Sequence, residues 1–451
     1  MVVLVAACGA RQTYEPPKIE EKLFRTDNIP ADSLSTANVS WRDIFTDATL
    51  QAHINKALNN NLDVRVALQN VKSAKVYLAQ SKHSFYPVLS VGADYTRSTN
   101  SINATGGVGN RSYNNLWDIT ANASWEADIW GKLSAEKRAT YASYLATAEA
   151  QKAVQSEVVA TLATAYYQLL MLDEQKKVLE QTIAFREKSL ATTKLLKDAG
   201  SATEVAAKQM EALVYNAQAQ LISINNSIWA LENTISVLLG EAPHAIERTT
   251  LAEQQFPTDF KEGYEAKLLQ NRPDVARAEL NLRNAFELTN AARAAFYPTL
   301  TLSARGGLSS TDLETWFSPK SLFANLVAGL VQPILNRRQI RTQYEVQKIA
   351  QETALLNFKK TLLSAGKEVA DAMHQFSSQT DYIALKTQEM KAYQQATDYS
   401  QKLFDSGMIN YLEIITAEVN RLNAELSVAE AQFNRMQYGI TLYKTLGGGW
   451  R

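Results

Sequence analysis

The stretch "HSFYPVLSVGADYT", residues 83–96, has a counterpart in "AAFYPTLTLSARGG", residues 294–307. In both, Phe-Tyr-Pro ends a segment of helical periodicity, and apolar and polar residues alternate after the proline. Proline cannot continue a helix, and it pushes the preceding residue toward an extended backbone. Pro87 and Pro298 therefore each predict that a helix stops and a strand begins.

The similarity between the two copies extends over most of the chain. Residues 58–95, moved forward by 211 positions, align without a gap, so that Asp63 falls on Asp274. Near the other end of each copy, an offset of 207 places Gly200 on Gly407. The chain is thus an internal duplication of a unit of about 200 residues. We expect a signal remnant at 1–8, an extended tether at 9–47, a first repeat at 48–246, a linker at 247–259 and a second repeat at 260–451.

The composition excludes several classes of protein. The 46 basic and 46 acidic residues cancel, so no net field attracts nucleic acid. The four histidines lack the spacing of metal ligands, and no nucleophile or phosphate-loop motif is present. We therefore expect no enzyme activity, no cofactor and no metal site. The 18 glycines and 10 prolines are too few for a loop-rich all-β protein, so the sequence predicts a mainly helical chain.

Long segments without proline predict two helical hairpins. Residues 134–197 lack proline, and with a rise of about 1.5 Å per residue they form a helix roughly 100 Å long. Their counterpart at residues 338–404 also lacks proline. Each is followed by a glycine turn and a second helical segment, so the hairpins cover about residues 134–239 and 338–446. Helices of this length must pack side by side, as coiled coils or as the staves of a larger tube.

Two β-hairpins are predicted, at about residues 88–126 and 299–332. Apolar and polar residues alternate most sharply from residue 117 to residue 126, whereas the fourth segment, residues 322–332, has a weaker pattern. The segments are about ten residues long, as transmembrane β-strands are, and carry aromatic residues near their ends. The residues expected to face lipid are Leu89, Val91, Trp117, Ile119, Trp125, Leu300 and Leu302.

The single cysteine lies in the N-terminal sequence "LVAACG". An apolar run that ends in small residues before a cysteine is typical of a bacterial lipoprotein signal, in which the cysteine is acylated. An incidental cysteine in a clipped apolar terminus is the alternative, because the preceding segment is short and lacks basic residues. We expect Cys8 to carry lipid and the polar residues after it to lead away from a membrane anchor.

The number of strands decides between two interpretations of the hairpins. Taken alone, they also fit a surface hairpin that packs one face on a protein core. Four strands, polar loops and a lipid signal together favour a membrane, where an open sheet edge is not tolerated. Two chains give eight strands and a filled interior, whereas three give twelve strands and a water-filled lumen. The sequence therefore predicts a homotrimer in which each chain contributes four strands to one barrel.

These motifs, in this order, resemble the outer-membrane efflux proteins, the exit ducts of tripartite pumps and of type I secretion systems. The resemblance covers nearly the whole chain, and the N-terminal cysteine points to the lipoprotein branch. It implies a trimer with a twelve-stranded outer-membrane barrel and a long helical barrel in the periplasm. It also implies two partners, a periplasmic adaptor and an inner-membrane transporter. Besides the Phe-Tyr-Pro segments, the resemblance rests on "WEADIWGK" at 125–132, "VQPILNRR" at 331–338 and "LFDSGMINYLEIITAE" at 403–418.

The resemblance implies a passive exit channel for drugs or other small toxic solutes. A channel for type I protein secretion is the alternative within the same class. A membrane-tethered coiled-coil scaffold is the alternative from a different class. The apolar strand faces argue against the scaffold, because in water they would promote aggregation.

The turns of the helical hairpins carry capping signals. Gly200 and Gly407 are expected to end the long helices in a left-handed conformation. "SATE" at residues 201–204 and "NYLE" at residues 410–413 both have the spacing of a capping box. Ser201 with Glu204, and Asn410 with Glu413, are therefore predicted to cap the helices that follow.

The second turn is also the candidate gate, and its candidate residues are Glu413, Tyr411, Asn410 and Thr416. The resemblance places it at the periplasmic tip, where Glu413 aligns with an acidic gate residue of some family members. Three copies in a trimer form a ring that attracts cations. Tyr411 is either a gate side chain or a packing residue beside the cap Asn410. Thr416 stands nine positions after Gly407, where the family often has an acidic residue.

Overall fold

The computed structural model describes residues 12–17, 40–101, 113–254, 271–406 and 408–450. Within them the chain forms eight α-helices and one four-stranded sheet. The helices are α1 (Trp41–Ile44), α2 (Ala48–Asn60), α3 (Leu62–His83), α4 (Lys132–Asp198), α5 (Glu204–Leu238), α6 (Pro273–Ala294), α7 (Gln339–Asp405) and α8 (Tyr411–Thr445). The strands are β1 (Val88–Thr99), β2 (Tyr113–Ala127), β3 (Thr299–Ser310) and β4 (Leu322–Val331).

The duplication is visible in the lengths of the elements. Helices α3 and α6 each have 22 residues, α4 and α7 each have 67, and α5 and α8 each have 35. Strands β1 and β3 each have 12 residues. The predicted long helices and the four predicted strands are confirmed. As the prolines predict, β1 begins directly after Pro87 and β3 directly after Pro298.

The two repeats also close in the same way. In the first, Asn61 Nδ2 donates a hydrogen bond of 2.9 Å to the carbonyl oxygen of Leu238, at the end of α5. In the second, Arg272 Nη1 donates one of 3.0 Å to the carbonyl oxygen of Thr445, at the end of α8. Each helical hairpin therefore returns to the start of its own repeat, through a short amide in one copy and a guanidinium in the other.

A glycine follows each of these contacts because the backbone approaches closely. Gly240 has φ of 75° and Gly447 has φ of 93°, a left-handed conformation that glycine adopts without strain. A Cβ on Gly240 would lie 2.6 Å from the carbonyl oxygen of Asn60, and one on Gly447 would lie 3.1 Å from that of Asn271. The offset of 207 also places Leu239-Gly240 on Leu446-Gly447, and the close backbone approach explains this match by packing rather than by a site.

The contacts divide the chain into two compact units. One contains Met1–Pro17, Val71–Thr147 and Ala278–Phe358, and it holds the sheet, whose order is β1-β2-β3-β4 with all neighbours antiparallel. The other contains Lys18–Asn70, Ala148–Arg277 and Lys359–Arg451. None of the described helices combines the length and the apolar composition needed to cross a membrane.

The core of the second unit includes residues from the predicted tether. Trp41 is 1% exposed and Phe45 is fully buried, with its ring 6.3 Å from that of Tyr443. Asp47 caps α2 by accepting hydrogen bonds from the backbone N–H groups of Thr49 and Leu50. The tether prediction is therefore wrong for residues 41–47, because their apolar side chains are packed against the repeats.

Candidate functional site

One face of the sheet is apolar across all four strands. The antiparallel register places Leu89 opposite Ala123, Trp125 opposite Leu302, and Ile119 opposite Leu308. It continues into β4, where Leu330 lies opposite Leu300. Because alternate residues share a face, the seven predicted lipid-facing residues all lie on this apolar face. Their contact with lipid stays a prediction.

The weak fourth segment completes this face. Leu322, Leu326 and Leu330 align with the apolar rows of β3. Phe323 and Val327 point to the opposite face, so β4 carries large apolar residues on both sides. This explains why its alternation is blurred in the sequence although its register is regular.

Aromatic residues lie near both ends of the apolar face. At one end the ring of Trp117 is 4.2 Å from that of Tyr95 and 5.5 Å from that of Trp316. Toward the other end Trp125 Nε1 donates a hydrogen bond of 2.9 Å to the carbonyl oxygen of Phe85. The eight residue-to-residue steps from Trp117 to Trp125 span about 27 Å of strand, which is comparable to the apolar band of about 25 Å in outer-membrane barrels.

The opposite face of the sheet is largely polar. It carries Asp118, Asn122 and Ser124 of β2, and Arg305 of β3. Thr120 shares this face but is only 3% exposed. Its partners on the two neighbouring strands are Gly92 of β1 and Gly307 of β3, so no side chains flank it on this face.

The first helical turn corrects one prediction. Gly200 is left-handed as predicted, with φ of 79°. The N–H of Ser201 donates to the carbonyl oxygen of Leu196 at 2.8 Å, so Ser201 belongs to the turn that closes α4 and does not cap α5. The cap is Thr203, whose side chain accepts a hydrogen bond from the N–H of Ala206.

Glu204 is consequently the first residue of α5 and is not the third residue of a capping box. Its carboxylate forms an exposed ion pair of 3.2 Å with Lys197 of α4. The capping-box prediction for Ser201 and Glu204 is therefore wrong. Exposed pairs of this kind are screened by water and salt, so Glu204 has a minor role in closing the turn.

The second turn agrees better with the prediction. Asn410 is the cap of α8, and its side chain accepts a hydrogen bond of 3.3 Å from the N–H of Leu412. Glu413 is exposed in the first turn of α8, and no ion pair with another described residue holds its carboxylate. Thr416 is exposed, and its hydroxyl donates to the carbonyl oxygen of Leu412. Gly407 and Cys8 lie outside the described residues.

Tyr411 lines a small cavity between the helices. The cavity is bounded by residues of α4, α5, α7 and α8, including Thr193, Met210 and Phe404. The ring is half-buried there, which agrees with the packing alternative for Tyr411. Of the four gate candidates, Asn410, Glu413 and Thr416 are exposed, and Asn410 is engaged as the cap of α8.

A buried ion pair was missed from the sequence. Arg186 of α4 donates a hydrogen bond of 3.0 Å from Nε to Oε1 of Glu418 in α8, and the two side chains are 1% and 4% exposed. Arg186 Nη1 also donates to the carbonyl oxygen of Leu213 in α5 at 2.8 Å. One pair therefore joins three helices of the two hairpins. The sequence pattern that could have revealed the burial of Glu418 is its position four residues from Ile414 and four residues from Leu422, which are both buried.

Only one of the two carboxylate oxygens of Glu418 has a hydrogen-bond partner. Its Oε1 accepts from Arg186, whereas Oε2 is buried without a hydrogen-bond partner. Burial raises the pKa of Glu418, although the charges of Arg186 and Arg421 act in the opposite direction. The carboxylate is therefore held at a cost in free energy, which the guanidinium offsets in part.

A sheet with an apolar face bounded by aromatic residues, joined to long helical hairpins, defines a protein that contributes strands to a membrane barrel. The sequence pattern of the family "Outer membrane efflux protein" matches residues 53–241 and 266–448. The chain belongs to this family. The predicted resemblance and the mainly helical fold are thereby confirmed, and so are the outer-membrane location and the role in efflux. The family consists of transport proteins rather than enzymes.

Named relatives and a solved structure extend over nearly the whole chain. The chain is 28% identical to the cation efflux system protein CusC of Escherichia coli (strain K12), over 91% of this chain and 89% of that protein. It is 26% identical to the probable outer membrane lipoprotein SilC of Salmonella typhimurium, over 100% of this chain and 97% of that protein. A crystal structure of CusC has a TM-score of 0.85 at 26% identity, over 97% of this chain and 99% of that one.

Proposed function

We propose that three copies of this chain form the outer-membrane exit channel of a tripartite efflux system. The channel is a passive conduit for drugs or other small toxic solutes. The inner-membrane transporter supplies the energy, and a periplasmic adaptor connects the two proteins.

The observation that carries the proposal is the sheet itself, which has two edge strands and a single apolar face. Strands β1 and β4 are its edges, and its apolar face continues from one edge to the other. Unpaired backbone groups are not tolerated in hydrocarbon, so the edges must pair with further copies of the sheet. Three copies give twelve strands, enough for a water-filled lumen lined by the polar face.

The helices offer matching surfaces for neighbouring copies. On α5, Tyr215, Ile222 and Trp229 are spaced by seven residues and are 62%, 63% and 69% exposed. On α7, Leu385 and Tyr399 are 65% and 61% exposed and are separated by two heptads. Apolar residues at heptad spacing are typical of a helix that packs against another helix. We call these two sets of residues the α5 stripe and the α7 stripe. The α5 stripe of one copy and the α7 stripe of the next provide a head-to-tail contact that closes a ring.

The relatives support an efflux role without fixing the solute. Those with 26–28% identity include a cation efflux protein and, in Pseudomonas putida, proteins named for solvent efflux and toluene efflux. Similar channels therefore serve different solutes. This supports placing solute selection with the transporter, and no contact among the described residues favours protein secretion or a scaffold.

Cys8 and Glu413 complete the proposal. We propose that Cys8 is acylated, which the name of SilC as a probable lipoprotein supports. We also propose that Glu413 lines the periplasmic gate, together with Thr416. The exposure of Glu413 beside the helical turn supports this role, because a carboxylate used only for capping would be engaged by the backbone.

Assembly and conductance of the purified full-length protein test the proposal. Light scattering in detergent should give the mass of three chains, and the protein should form ion-conducting pores in planar bilayers. Ile222→Arg, on the α5 stripe, should reduce the trimer fraction. Ser227→Arg is the matched control, because Ser227 is exposed on α5 but lies away from the stripe. A monomer that does not conduct would overturn the proposal.

A further inference from the structure

The polar face of the sheet carries charges of opposite sign at two levels. At one level Asp94 of β1 lies directly opposite Asp118 of β2. At the other level Arg305 of β3 lies between Asn122 of β2 and Asn325 of β4. We call these the carboxylate layer, Asp94 and Asp118, and the guanidinium layer, Arg305.

Neither layer is neutralised within the described sheet. The ion pair of the polar face joins Glu126 to Lys132, away from both layers. The Arg305 guanidinium lies 5.7 Å from the ring centroid of Phe323, and no described carboxylate pairs with it. Like charges directly opposite on neighbouring strands are destabilising, so the sheet is less stable for carrying Asp94 against Asp118.

The two layers are far enough apart to act separately. Asp94 and Ser90, which is level with Arg305 across the sheet, are four residues apart on β1. At about 3.3 Å per residue this separation is roughly 13 Å. It exceeds the screening length of about 10 Å at 0.1 M salt. An ion that passes along the face therefore meets first one sign of charge and then the other.

We propose that Arg305 sets the charge selectivity of the open pore by opposing the passage of cations, and that the carboxylate layer acts in the opposite direction. This inference rests on the proposed function, because closure of three sheets turns the polar face inward. Lumen side chains of outer-membrane barrels tune selectivity in this way. Three guanidinium groups roughly 10 Å from the axis change the local ratio of cations to anions by about fourfold at 0.1 M salt.

The reversal potential of the full-length protein in planar bilayers, across a KCl gradient near 0.1 M, measures this selectivity. Arg305→Gln should raise the potassium-to-chloride permeability ratio by about fourfold, and Arg305→Lys should restore it. Asp94→Asn and Asp118→Asn should lower the ratio. Arg97→Gln is the matched control, because Arg97 lies on β1 but on the opposite face, beside the ring of Tyr113.

The outcomes separate this inference from the proposed function. A conducting pore in which Arg305→Gln and Arg97→Gln give the same ratio would overturn the inference and leave the channel intact. A wild-type protein that does not conduct would overturn the proposed function and the inference with it. If Arg305→Gln does not assemble, Asp94→Asn and Asp118→Asn test the inference instead. A potassium-to-chloride permeability ratio that is unchanged in both variants would then overturn it.

Discussion

Removing one partner of the Arg186–Glu418 pair should destabilise the helical hairpins strongly. In Glu418→Leu, the guanidinium stays buried with the Leu213 carbonyl as its remaining acceptor. Breaking a buried pair in this way costs about 3 to 5 kcal/mol. If the 451-residue chain unfolds as one unit, its unfolding entropy is about 950 cal/mol/K, so the melting temperature should fall by about 3 to 5 °C.

The double variant Arg186→Met with Glu418→Leu tests whether the loss comes from the unpaired charge. Replacing a buried pair by apolar side chains is often neutral or stabilising, so the double variant should melt near the wild type. Loss of helical circular dichroism in detergent, at one scan rate for all variants, measures the melting temperature. Asp371→Ala, which breaks the exposed Lys367–Asp371 pair, is the control and should change it by less than about 1 °C.

The pH dependence supplies an independent check on Glu418. Burial raises the pKa of Glu418 above the ordinary value of 4.5. At a pH between the pKa of the unfolded state and that of the folded state, the folded state therefore binds more protons. The carboxyl group of Glu418 therefore contributes stability at low pH, and this contribution is lost as the pH rises through its raised pKa. The melting temperature of the wild type, relative to Glu418→Gln, should rise as the pH falls toward 4.5. Additive losses in the double variant, or a difference independent of pH, would refute the reasoning.

Three further predictions concern the membrane, the gate and the anchor. Ile119→Arg should cost about 2 to 4 kcal/mol if its site is near the bilayer midplane, whereas Ser124→Arg on the polar face should be tolerated; membrane-integration assays that treat them alike would contradict the assignment of faces. Glu413→Gln should weaken cation preference and block by multivalent cations, while Glu204→Gln should not; equal selectivity in bilayers would leave Glu413 without a gate role. A precursor expressed in a diderm bacterium should incorporate labelled fatty acid, and Cys8→Ala should abolish the label.

The strands and their faces were predictable because their period is two. Pro87 and Pro298 fix where the strands begin, and Trp117 and Trp125 share one face by spacing alone. Register is different, since it depends on which residues of separate strands pair. The sequence therefore placed β4 only weakly, and its alignment with the apolar rows required the observed pairing.

The helical caps show where spacing is insufficient. Ser201, Thr203 and Asn410 are all good capping residues, and the capping-box spacing selected Ser201 in one turn and Asn410 in the other. Asn410 is correct. Ser201 fails because the turn after Gly200 uses its N–H to close α4, which moves the start of α5 to Glu204. That tertiary course of the chain is not encoded in a four-residue motif.

The buried ion pair makes the two repeats of the duplicated chain unequal, because its two residues are not both matched in the other copy. Under the offset of 207, Arg186 corresponds to Tyr393, and Glu418 corresponds to Glu211, which pairs with Lys208 on its own helix. Two identical repeats would make all helical hairpins of an assembly equivalent, so hairpins could pack in alternative combinations. A single polar contact in an apolar interface specifies which helices pack together, at a cost in stability. We therefore interpret Arg186 and Glu418 as residues that select the correct pairing of the two hairpins, which explains why an apolar pair of similar size is expected to preserve stability.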